Sequence, residues 1–157
     1  VIADYLTDGP QSALDDALID THKASSVDYS LYPTYDDGLF SINAQITSTA
    51  SHAEVEEIIL MHIDRLKEKP VDTKRLSTIK TKIIASDLYD RDGTLATTTE
   101  LTECVAVGDW TRFYTFTRDI KRVTTKDVQR VAQTYFTEKN RTVGLFKGRS
   151  KAQPKKQ

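Results

Sequence analysis

The sequence predicts an α+β fold in which an antiparallel or mixed sheet carries helices packed on one face. Three observations predict it. Apolar and polar residues alternate with a period of two in only two stretches, on either side of the turn-forming run Pro33-Thr34-Tyr35-Asp36-Asp37-Gly38. Over most of the remaining chain the apolar residues recur at spacings of three and four, as in helices that bury one side. The helical stretches are grouped instead of alternating with strands, which argues against a parallel βαβ sheet. With 157 residues, 38% of them hydrophobic and 29% charged, the chain can enclose the core of one ordinary domain.

Residues 1–6 read as the end of a helix, stopped at Asp8-Gly9-Pro10, where proline offers no amide hydrogen. Ser12, with Asp15 three residues on, predicts a new helix whose apolar side is Leu14, Ala17 and Leu18. Val27, Tyr29 and Leu31 then mark the first strand, and Phe40, Ile42, Ala44 and Ile46 the second. Ser51-His52-Ala53-Glu54 has the spacing of a capping box and opens a helix to about Lys69, with Val55, Ile58, Ile59, His62, Ile63 and Leu66 on one face. A second long helix from about Thr73 repeats Leu76, Ile79 and Ile83, breaks at Asp92-Gly93 and resumes from about Leu95 to Val107. Phe113, Phe116, Ile120 and Val123 mark a further helix face. Thr124 and Asp127 start the last helix, with Val128, Val131, Ala132, Tyr135 and Phe136 as its stripe.

Residues 141–147 are expected to return to the sheet as a terminal strand with Val143 and Leu145 facing inward. Residues 1–147 are thus expected to make a single domain, truncated at its start because a helical pattern is already under way at Val1. Residues 148–157, with Arg149, Lys151, Lys155 and Lys156, are expected to be a basic linker or an added tail. So few strands leave an unpaired sheet edge, and self-association of the chain is expected from it.

Charge and cysteine content exclude several functions. The 22 basic residues nearly balance 23 acidic ones and are spread along the chain, so there is no electrostatic footprint for nucleic acid. Cys104 is the only cysteine, which rules out an intrachain disulfide and a cysteine-based metal cluster. No apolar run approaches the ~20 residues of a membrane span. The carboxylate pairs Asp15-Asp16 and Glu56-Glu57 fall on expected solvent faces and Asp36-Asp37 in a turn, positions that suit solvation better than acid–base catalysis. Cys104, within a helix, suits a small buried residue, and the row Trp110, Phe113, Tyr114 and Phe116 suits packing.

Several segments, together covering nearly the whole chain, resemble the insulinase and pitrilysin zinc metallopeptidases of family M16, in particular bacterial multi-domain members. They are the run from Ala17 to Val27, the segment Asp36-Asp37-Gly38-Leu39-Phe40, the triplet Gly108-Asp109-Trp110, the run from Val123 to Ala132, and Asn140-Arg141-Thr142-Val143-Gly144-Leu145-Phe146. An active domain of that family carries His-x-x-Glu-His plus a distant glutamate, which sets two imidazoles on one helix face toward zinc and a glutamate beside the metal-bound water. This chain lacks the motif. Its histidines, His22, His52 and His62, have no pair spaced three or four apart.

The resemblance therefore implies a non-catalytic domain, inactive by itself and without a cofactor, that forms the chamber wall and peptide-binding surface opposite a homologous zinc-bearing domain of the same polypeptide or complex. A periplasmic location is implied in the same way. Where some members place an assisting arginine and tyrosine, this chain has Ile19 and Ser25, which lack that chemistry. The positions expected to touch the peptide are Ile19, Ser25, Ser26 and Tyr29. The competing reading is a purely structural scaffold homologue with no part in proteolysis.

Overall fold

The computed structural model describes residues 1–9 and 12–147. Its elements are α1 (Ile2–Thr7), a short π-helix (Asp15–Ile19), β1 (Ala24–Leu31), β2 (Phe40–Ile46), α2 (His52–Glu68), α3 (Thr73–Asp90), α4 (Thr94–Ala106), α5 (Arg112–Arg122), α6 (Thr125–Tyr135) and a 3-10 turn (Glu138–Asn140). The architecture is α+β. The strands pair antiparallel as a two-stranded sheet among the described residues.

The helix starts form where the sequence supplies acceptors for otherwise orphaned amides. Ser51 Oγ accepts from the amide of Glu54 at 3.2 Å, and Asp72 Oδ1 accepts from that of Arg75 at 2.9 Å. Thr124 and Asp127 close a reciprocal capping box, with the Thr124 amide donating to Asp127 Oδ2 at 2.9 Å. Between α4 and α5, Gly108 adopts φ +86°, and a Cβ there would stand 3.0 Å from the Tyr35 ring. Glycine is thus required twice over, by backbone conformation and by the hairpin loop lying against it.

The core gathers where one face of the hairpin meets the helices. Leu6, Leu14 and Leu18 are fully buried, joined by Ala24, Val27, Val55, Leu66, Val71, Leu76, Val128 and Ala132. Helix α2 packs on α6, and α5 on both α3 and α4. Arg91 links these last three helices: its guanidinium donates to the Phe113 carbonyl at 2.8 Å, to Asp87 at 2.9 Å and to Glu100 at 2.8 Å, and it lies over the Phe113 ring.

The expected terminal strand is not formed. Residues 141–147 have no regular structure, and Val143 and Leu145 are 45% and 56% exposed. A strand exists only through ladder bonds to a neighbour, and this segment makes none to β1 or β2. Its contact with the domain includes His52 Nε2, 3.2 Å from the Phe146 carbonyl oxygen at the start of α2. The alternation of two apolar residues about Gly144 was too short a signal to specify pairing. The basic segment 148–157 lies outside the described residues.

Candidate functional site

The two faces of the hairpin differ in chemistry, and a β-bulge sets the division between them. Ala24, Val27, Tyr29 and Leu31 stand opposite Ile46, Ala44, Ile42 and Phe40. In a regular strand, Ala24 and Val27 would point to opposite faces because they are three apart. Yet both are buried. The register shifts between Ala24 and Ser26, so Ser25 is the extra residue of a bulge, and both alanine and valine turn toward the helices. The same shift assigns Ser26, Asp28 and Ser30, opposite Gln45, Asn43 and Ser41, to the other face.

That second face is entirely polar, and its residues are exposed or half-exposed. Across it, Asn43 Nδ2 donates to Asp28 Oδ1 at 2.9 Å. Ser25 Oγ donates to the Gln45 carbonyl at 3.2 Å, tying the bulge to the neighbouring strand.

The junction that leads into β1 holds this face in place. Its π-helix is closed by the Asp20 amide donating to the Asp15 carbonyl, five residues back, at 3.1 Å. The chain then leaves the helix through His22, whose φ is 59°. The Lys23 amide donates to the Leu18 carbonyl at 2.8 Å and the His22 amide to the Ile19 carbonyl at 2.9 Å. This pair of bonds is a Schellman termination with histidine at the left-handed position that glycine normally occupies. The His22 carbonyl accepts from Thr47 Oγ1 at 2.7 Å and Thr49 Oγ1 at 2.9 Å, and Lys23 forms an ion pair with Glu54. The junction is thereby fastened to the end of β2 and to α2.

The four positions expected to touch peptide do not share one surface. Ser26 belongs to the polar face, and Ser25 is the exposed bulge beside it. Tyr29 belongs to the opposite face, where its ring is 6.4 Å from that of Phe40 and its hydroxyl is 3.5 Å from Asp4. Ile19 is half-buried against the core. Sequence reasoning missed Asp28, Ser30, Ser41, Asn43 and Gln45. Their signal was present as the polar half of the same alternation that revealed the apolar one.

Among the described residues the ionisable groups elsewhere make no catalytic constellation. His22 caps the π-helix, His52 opens α2, and His62 is half-buried on α2, with burial and then the charges of Arg65 and Arg75 pushing its pKa down. Asp15, expected on a solvent face, is half-buried, and burial followed by the charges of Asp20 and Asp16 pushes its carboxyl up. Cys104 is buried, and desolvation raises its thiol pKa, the reverse of what a thiolate nucleophile needs. A cavity of about 170 Å³ beside Cys104, lined by Pro33, Glu100, Arg112 and Phe116 among others, is small for a peptide. Among the described residues no three His, Cys, Asp or Glu side chains form a group that could hold a metal ion. They do not fit the zinc centre of an active family member. No helix among them is long and apolar enough to cross a membrane.

Comparison with known proteins adds an independent line. The family model described as the peptidase M16 inactive domain matches residues 1–83, just over half of the 157. The chain is similar to the inactive peptidase domain of a candidate zinc protease from Bordetella parapertussis, with a TM-score of 0.86 and 26% identity over 96% of this chain and 81% of that one. It is also similar to a candidate zinc protease from Bordetella pertussis Tohama I, with a TM-score of 0.80 and 27% identity over 90% and 78% of the two chains. A protease from Helicobacter pylori shares the fold at 18% identity and a TM-score of 0.82, over 88% of this chain and 34% of that one. No curated protein sequence matches.

Proposed function

The chain belongs to the peptidase M16 inactive domain family, and from that membership we propose that it is the non-catalytic half of a zinc metallopeptidase chamber, walling and gripping the peptide opposite a zinc-bearing domain. The observation that carries this reading is the uncovered polar face of β1 and β2. One side of the hairpin packs on the core through Ala24 and Val27, with Phe40, Ile42, Ala44 and Ile46 partly buried against it, whereas the other presents serine, asparagine, glutamine and aspartate side chains in register. Such groups can donate to and accept from an extended peptide backbone without demanding a particular sequence. The bulge and the Schellman junction anchor this surface to the end of β2 and to the helix before it.

Within this reading Ser25 and Ser26 remain at the peptide surface, while Tyr29 and Ile19 support it from the core side. The chain's own residues bind and orient. Activation of water is the task of zinc in the partner domain, since the described residues offer no donor set for it.

The test is reconstitution. A zinc-bearing homologous domain, from the same polypeptide or complex, is assayed on a fluorogenic peptide with and without this chain. Addition should raise kcat/KM, and Ser26→Trp, on the exposed face, should abolish the gain while leaving the circular dichroism spectrum unchanged. Tight association of the two chains with no change in peptide turnover would replace the chamber reading with that of a scaffold.

A further inference from the structure

The proposed chamber face has a charge character that points to the class of peptide it takes. From Ala24 to Ser51 the chain contains Asp28, Asp36 and Asp37 and neither lysine nor arginine. Over the whole chain the two signs are nearly balanced, 22 basic residues against 23 acidic, so this hairpin is locally one-sided. Asp36 and Asp37 lie in the exposed loop beyond the strands. Asp28 is the only ionisable side chain among the described residues that β1 and β2 direct to the polar face.

The setting of Asp28 also prepares it for a ligand. Its cross-strand neighbour Asn43 donates one amide hydrogen to Oδ1 at 2.9 Å, which fixes the orientation of the carboxylate without neutralising it. The second oxygen keeps its acceptor capacity, and the residue is exposed. The surrounding groups, Ser26, Ser30, Ser41 and Gln45, are uncharged. A cationic side chain arriving along the face meets an oriented carboxylate with no built-in rival among the side chains of that face.

Resting on the chamber reading above, we infer that Asp28 is a specificity-determining residue and that the face selects extended peptides carrying a lysine or arginine side chain over neutral or acidic ones. The occupant is thus a basic peptide segment, held by its backbone along the hydrogen-bonding face and by its cation at Asp28. Because the pair is exposed to water, the preference is modest and salt-dependent.

Two measurements test this. In the first, fluorescent extended peptides that differ only by a central Lys→Gln change are titrated onto the full chain by anisotropy at low and at physiological salt. The lysine peptide should bind about three- to fivefold tighter, an advantage that Asp28→Asn removes and high salt reduces. Asp28→Lys should reverse the order against a peptide with glutamate at the same position, and circular dichroism confirms that both variants stay folded. In the second, the same peptide pair is hydrolysed by the zinc-bearing domain reconstituted with the chain, and the difference should appear in KM and not in kcat. Equal binding of both peptides to the wild-type chain, or a lysine preference that survives Asp28→Asn, overturns the inference. If reconstitution raises turnover but the two peptides behave alike, the chamber reading stands and the role of Asp28 falls. If the lysine preference depends on Asp28 but turnover never rises, Asp28 stands and the chamber reading falls.

Discussion

Replacing His22 by glycine should stabilise the domain, although it deletes a side chain. At φ 59° a residue with a Cβ sits in the left-handed region, which costs about 1–2 kcal/mol for most side chains. Glycine avoids that cost but brings a more flexible unfolded chain, worth about 0.5–1 kcal/mol in the opposite direction. The midpoints of these two ranges leave a net gain of about 0.75 kcal/mol. Nothing offsets it through lost contacts, because the bonds that hold the junction are made by the backbone of residue 22: its carbonyl accepts from Thr47 and Thr49, and its amide donates to Ile19. Urea denaturation is the assay. With an m-value of about 2 kcal/mol/M, the midpoint should rise by about 0.25–0.5 M at unchanged m. His22→Ala, which keeps the Cβ in the same conformation, should show no such rise. If His22→Gly leaves the midpoint unchanged or lowers it below that of His22→Ala, the Schellman account of this junction is refuted.

Four further outcomes follow from the packing and the ionisable groups. Leu18→Ala should cost about 2–5 kcal/mol because the side chain is fully buried, whereas Val143→Asp, in the exposed segment after the last helix, should stay within about 0.5 kcal/mol in the same thermal melts. Arg91→Ala should cost about 3 kcal/mol, since it leaves the nearly buried Asp87 carboxylate without its guanidinium and unlinks α3, α4 and α5. For pH, Asp15 is raised in the fold, so its contribution is favourable only below the ordinary carboxylate range and is lost as pH rises through the raised value. Asp15→Asn should therefore raise the melting temperature at pH 7 and do so less at pH 3. His62 is depressed, so its contribution is present above the ordinary histidine pKa and lost as pH falls. His62→Gln should flatten the decline in stability between pH 7 and pH 5, and an unaltered decline would mean that His62 is not its source.

Much of this protein could be read from its residues alone, where the physical signal is local. Helix starts at Ser51 and Thr124 were legible because a capping side chain and its amide partner lie three residues apart. The hairpin was legible because its apolar residues repeat every second position about a turn-rich loop, and the lack of His-x-x-Glu-His is a property of the sequence itself. Tertiary structure decided what depends on distant partners. Whether Val143 and Leu145 form a strand depends on a neighbouring backbone to pair with, and residues 141–147 make no ladder bonds. That Ala24 and Val27 share the core face, with Ser26 on the other, depends on the bulge at Ser25, visible only when both strands are set in register. Asp28 took on meaning in the same way: a one-residue slip in pairing exchanges the faces of a strand, so the register that buries Val27 also sets Asp28 against Asn43 on the open side.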